Sequence, residues 1–186
     1  KKNFQFPLNQ VNPIDIKNFP LNYAFSKETT LFISLDATGL KLGSSQMSWL
    51  ENVLKEHRQK YKWVILFGHV PLIPVAVNRE NDYLRDRGLF NLLKKYDVSL
   101  WISGHHHAYF PGKKDGIKFV SLSCLGGGSR KLIGENKTSK KGILRIFINE
   151  EFIKIDGLDS KEKFQVINKK SLPSSIGRGN HLLHRD

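Results

Sequence analysis

Cysteine is nearly missing from these 186 residues: Cys124 stands alone, so no intrachain disulfide can staple the fold. Long apolar runs are missing as well. None reaches the roughly 18 residues that a membrane-spanning helix needs, which argues against a membrane partner. The basic opening residues are not followed by the apolar stretch of a secretory signal, so localisation is left unassigned. Methionine occurs once, at Met47, and the chain opens Lys1-Lys2-Asn3. That opening leads to the expectation of a processed or truncated piece of something longer. Acidic residues are scarce: 17 Asp and Glu face 30 Lys and Arg, a formal charge of +13. With 39% hydrophobic and 25% charged residues, the composition excludes a collagen, a disordered polyelectrolyte and a membrane bundle. It fits one globular domain with its own core.

Apolar patterning then sets out the elements. Residues 1–30 read as an irregular connection, because Pro7, Pro13 and Pro20 recur among Asn, Gln and Phe. Residues 31–35 form a short apolar run that reads as a buried strand ending at Asp36. Met47, Leu50, Val53, Leu54 and His57 follow helical spacing, with Ser44 or Ser45 as the N-cap candidate. A second buried strand covers residues 61–67, a second helix 84–96, a third strand 98–102 and a fourth 117–122. Strand alternating with helix is the α/β pattern, and apolar runs buried on both faces imply a largely parallel sheet. Residues 143–148 and 152–155, around Asn149-Glu150, read as an antiparallel hairpin. The domain proper is taken as 31–157, followed by a basic extension, 158–186, that is partly flexible from Lys169 on.

Histidines mark where chemistry falls. His69 directly follows the second strand, in Phe67-Gly68-His69, and His105 and His107 follow the third, in Gly104-His105-His106-His107. Ligands and catalytic groups of open α/β sheets gather outside the carboxyl ends of the strands. Neighbouring strands lie about 5 Å apart, so His69 and His105 can meet although far apart in sequence. If the segment is extended, His105 and His107 share a face while His106 points elsewhere. Convergent imidazoles suit Zn, Cu, Fe and Ni alike, so they imply a transition metal without selecting one. Gly68 and Gly104 would let the backbone approach a ligand closely. His57, His181 and His184 read as structural or solvated.

With these residues in place, the sequence resembles the calcineurin-like metallophosphoesterases, and within them the purple acid phosphatase-like branch. That family's pattern has five motifs: Asp-x-His, Gly-Asp-x-x-Asp, Gly-Asn-His-Asp/Glu, Gly-His and Gly-His-x-His. This chain matches the last two, as Gly68-His69 and Gly104-His105-His106-His107, over a resemblance spanning residues 20–157. The resemblance implies the C-terminal half of a four-layer α/β/β/α sandwich. It also implies hydrolysis of a phosphate ester at a centre of two divalent or trivalent transition metals, Fe, Zn or Mn. His69 and His105 would bind one metal and His107 the other. The remaining ligands belong to the first three motifs, which this sequence does not contain. The expected partners are accordingly a phosphorylated substrate and the N-terminal half of the same domain.

Charge adds to this expectation. Three neutral imidazoles bring no negative charge, so alone they hold two cations poorly, and the isolated chain is expected to be a weak or inactive hydrolase. Residues 113–141 carry a local excess of six positive charges beside the histidine segment, a field that attracts anionic phosphate. Arg79 and Arg130 are the substrate-binding candidates. Two other readings stay open. A pI near 9.8 meets the electrostatic criterion for a nucleic-acid-binding module without catalysis. Three histidines could also form a mononuclear site with an open water position. The Gly126-Gly127-Gly128 turn is not a phosphate-binding P-loop, since no Gly-Lys-Ser/Thr follows.

Overall fold

Residues 10–186 are described by a computed structural model, so Pro7 and the rest of residues 1–9 lie outside it. The elements are β1 (Asn12–Asn18), β2 (Asn22–Lys27), β3 (Thr30–Ser34), α1 (Ser44–His57), β4 (Trp63–Gly68), α2 (Leu89–Lys95) and β5 (Leu100–Ser103). Then come β6 (Phe110–Lys114), β7 (Ile117–Ser121), β8 (Gly142–Ile148), β9 (Ile153–Asp159), β10 (Gln165–Val166), β11 (Ser175–Ile176) and β12 (Leu183–Arg185). Nine strands form one sheet in the order β1-β2-β3-β4-β5-β7-β6-β12-β11, and β10-β9-β8 form a second. The centre of the large sheet, β3-β4-β5-β7, is parallel, as the α/β pattern requires. Its flanks are antiparallel.

Alternation along the central strands builds two cores. Leu31, Ile33, Val64, Leu66, Trp101 and Phe119 face α1 and α2, where Leu50, Leu54, Leu89 and Leu93 meet them. Phe32, Ile65, Leu100 and Val120 face the other way and pack on Ile146, Ile153 and Ile155 of the second sheet. A strand buried on both faces needs apolar residues at successive positions, which explains the continuous runs in the sequence. The result is a helix layer, a large sheet and a small sheet.

The structure differs from the sequence-based expectation at both flanks. Residues expected to be irregular form β1 and β2, a hairpin added to the edge of β3. Pro13 is tolerated because β1 is the edge strand, and the ladder with β2 is interrupted between Pro13 and Asp15. The C-terminal stretch, expected to be partly flexible, also returns to the sheet, where β12 pairs with β6. Ile176 and Leu183 are buried there, and Lys118 pairs with Asp186. Single apolar anchors among polar residues show no periodicity, so neither flank was visible as strand. α2 begins only at Leu89, after Gly88 at φ 86°; Leu84 instead donates its N–H to Pro71 O at 2.9 Å from within the loop. At α1 neither Ser44 nor Ser45 caps: Gly43 is the N-cap, and the Asp86 carboxylate accepts from the Leu42 and Gly43 N–H groups at 2.7 and 3.1 Å. Among the described residues no helix is long and apolar enough to cross a membrane.

A buried histidine ties the loops together. His106 is 0% exposed. The Val75 N–H donates to its Nδ1 at 3.1 Å, which leaves the proton on Nε2 to donate to Asp82 O at 2.8 Å. Burial pushes its pKa down to about 4, so the ring is a neutral bridge between the segment after β5 and the loop after β4.

Two stability outcomes follow. His106→Ala strands the Val75 donor and the Asp82 acceptor, and denaturant unfolding should show a loss of about 1–3 kcal/mol. A Cβ at Gly142 would lie 1.8 Å from Leu158 O, whereas one at Gly39 meets nothing within 4 Å. In the same assay Gly142→Ala should cost about 1–3 kcal/mol and Gly39→Ala stay within about 0.5 kcal/mol of the parent.

Candidate metal centre

Strand register decides which histidines meet. β4 and β5 run parallel with Gly68 opposite Ser103. The pairing continues one step further, since the Gly104 N–H donates to His69 O at 2.9 Å. His69 therefore leaves the sheet beside Gly104 and His105. The two imidazoles cross edge to face, with centroids 5.1 Å apart and planes at 74°. His69 Nε2 stands 3.3 Å from His105 Nδ1.

That spacing is a test of metal fit. Two imidazole nitrogens at 2.0–2.1 Å from one tetrahedral zinc stand about 3.3–3.4 Å apart. The separation fits a shared cation as well as the direct hydrogen bond the two rings make without one, and the donor type suits transition metals. Burial, followed by the nearby His69 and Arg79, holds the His105 pKa below the ordinary histidine range. A neutral ring with a free lone pair is the form that ligates.

Backbone conformation departs from the expected extended segment. His105 and His107 both lie in the left-handed region, at φ 58° and 50°, a conformation that non-glycine residues adopt rarely. His106 does point elsewhere, into the interior. The bend turns His105 to His69 and sends His107 to the Gly-rich turn, where Nδ1 stands 3.2 Å from Gly128 O. A Cβ on Gly127 would come within 2.8 Å of His107 Cε1, so this glycine makes room for the ring. Gly68 is demanded by packing: a Cβ there would meet the Ala37 Cβ at 2.9 Å. Gly104 is under no such pressure, its nearest neighbour being His69 Nδ1 at 3.6 Å.

Among the described residues, no three His, Cys, Asp or Glu side chains converge as a metal-holding group. The fold brings His69 and His105 together and holds His107 apart from them on the turn.

Arg79 and Arg130 differ in surroundings. Arg79 forms an ion pair with Asp82. Arg130 makes no ion pair among the described residues, and its Nε is buried without a hydrogen-bond partner. It is held beside His107, whose carbonyl accepts its N–H at 3.1 Å. Asp82 was missed by sequence reasoning. It lies thirteen residues after His69 in an irregular loop, yet its Oδ2 is 3.5 Å from His105 Nε2. No spacing rule points to it. The adjacent cleft, about 390 Å³, is lined by Asp36, Thr38, His69 and Gly104 at the carboxyl ends of β3, β4 and β5.

Known proteins resemble this chain in sequence and in fold. The manganese-dependent ADP-ribose/CDP-alcohol diphosphatase of Arabidopsis thaliana is 33% identical over 67 residues, 36% of this chain and 22% of that protein. Serine/threonine-protein phosphatase CPPED1 of Danio rerio is 34% identical over 84 residues, 42% of this chain and 27% of that protein. The chain thus spans about a quarter of the length of these relatives. The solved purple acid phosphatase PPD1 of Lupinus luteus seeds superposes with a TM-score of 0.62 at 20% identity, over 79% of this chain and 31% of that one. It shares the fold. The family model for calcineurin-like phosphoesterases matches residues 5–109, more than half of the sequence. With both histidine motifs inside that match, the chain belongs to the calcineurin-like phosphoesterase family.

Proposed function

We propose that this chain supplies part of a dinuclear metal centre that hydrolyses a phosphate ester. The carrying observation is the 3.3 Å approach of His69 Nε2 to His105 Nδ1 at the ends of adjacent parallel strands. In this reading His69 and His105 hold one cation and His107 the other. Paired cations would supply Lewis-acid polarisation of the phosphoryl group and activation of the attacking water. The further ligands such a centre needs come from outside residues 10–186, on the same polypeptide or on a partner. Carboxylates are required among them, since neutral imidazoles do nothing to offset the repulsion between two cations.

The chain's own residues then have distinct tasks. The His105 backbone turn aims one ring at His69, and the buried His106 fixes that turn. Arg130, charged and without an anionic partner among the described residues, meets the substrate phosphate; Arg79 adds positive charge beside His105. The activities of the relatives, an ADP-ribose/CDP-alcohol diphosphatase and a serine/threonine-protein phosphatase, support a phosphate ester or anhydride as the class. Manganese, on which the plant relative depends, stands with zinc and iron as a metal to test.

Hydrolysis of p-nitrophenyl phosphate by the full-length protein should vanish with chelator and return with added metal. His69→Ala and His105→Ala should each reduce kcat/KM by more than the roughly 100-fold that loss of an outer-shell partner costs. Wild-type rates in either variant would sink the assignment. The isolated 186-residue chain should stay at background in this assay, and appreciable turnover there would refute a centre completed from outside it.

A further inference from the structure

Asp82 has no role in the site as drawn so far, yet much of the surrounding loop serves to place it. Between β4 and α2 the chain is bound at several points to a second segment. The Val77 N–H donates to Lys131 O, and the Ile133 N–H to Val75 O, at 3.0 and 2.9 Å; Ala76 and Leu132 form a bridge. The Asp82 N–H closes a turn onto Arg79 O at 3.0 Å. Its carbonyl takes the His106 Nε2 proton at 2.8 Å, and its carboxylate is paired with Arg79. The backbone of Asp82 is thereby fixed against the histidine segment, and its side chain against Arg79 of its own loop.

We propose that Asp82 is a positioning residue for His105: its carboxylate holds the proton on Nε2, so that the Nδ1 lone pair faces His69 and the cation they share. This rests on the reading that His69 and His105 share a cation. Each ring nitrogen of His105 has its own neighbour. His105 turns Nδ1 to His69 at 3.3 Å and Nε2 to Asp82 Oδ2 at 3.5 Å. An imidazole between a carboxylate and a metal site has one tautomer that satisfies both, and such outer partners raise ligand basicity and fix ring orientation. The competing role is a brace in which Asp82 serves only to anchor Arg79. Truncating the side chain leaves the backbone carbonyl that holds His106, so the loop retains that anchor.

The test uses full-length protein, with Zn²⁺ as the probe. Long-range proton–nitrogen NMR of the metal-free wild type, at alkaline pH where the ring is neutral, should show the His105 proton on Nε2. A proton on Nδ1 overturns the proposal without any variant. In competition with a chromogenic chelator, Asp82→Ala should weaken Zn²⁺ binding by about 10- to 100-fold. Asp82→Asn, whose amide oxygen still accepts a hydrogen bond, should fall between the two, and Arg79→Ala should stay nearer wild type. Equal affinity in Asp82→Ala and wild type overturns the role, and equal losses in Asp82→Ala and Arg79→Ala overturn it in favour of the brace. If the wild type itself binds no Zn²⁺, the shared-cation reading falls first and the proposal with it.

Discussion

Everything about the site depends on the parallel register of β4 with β5. Gly68 opposite Ser103 brings the ends of the two strands level, and one further backbone hydrogen bond, Gly104 to His69, carries the alignment past the sheet. A slip of one residue would turn every side chain of a strand to the opposite face. The register is fixed by what it buries: Leu66 against Trp101 on the helix side, Ile65 against Leu100 on the side of the second sheet. Two cores thus specify the separation of two imidazoles. The left-handed backbone at His105 completes the aim.

A second constraint is electrostatic. Rings packed 3.3 Å nitrogen to nitrogen cannot both be cationic at little cost, and burial adds to the pressure on His105 to stay neutral. Neutral donors accept a cation readily but give it no compensating charge. The Asp82 carboxylate stands 3.5 Å from His105 Nε2, and it is already paired with Arg79, whose guanidinium keeps the Asp82 carboxyl below its ordinary range. In the proposed function the His69–His105 pair would be the histidine-rich side of a centre whose anionic side lies elsewhere.

The legible part of this fold was the part buried on both faces. Continuous apolar runs at β3, β4, β5 and β7 announce themselves without any partner, and Gly-His at two strand ends marks the candidate site from sequence alone. β1, β11 and β12 lie at or near the edges and are anchored by a few buried side chains such as Ile176 and Leu183, which leaves no period to read. β6 was hidden by Pro111 and Gly112 within five residues. The bend at His105 and His107 was invisible for a different reason. Left-handed backbone is imposed by tertiary contacts, here the His106 bridge and the Gly127 seat under His107, and nothing in the spacing of His-x-His distinguishes it from an extended strand. Asp82 belongs to the same class, since only the folded loop brings it to His105.

The central claim is that His69 Nε2 and His105 Nδ1 hold one cation between them. Anomalous scattering from crystals of the full-length protein soaked in zinc tests this most directly. The account predicts a peak about 2.0–2.1 Å from both nitrogens. A metal bound elsewhere, or a direct hydrogen bond between the two rings with no peak at the pair, would contradict it.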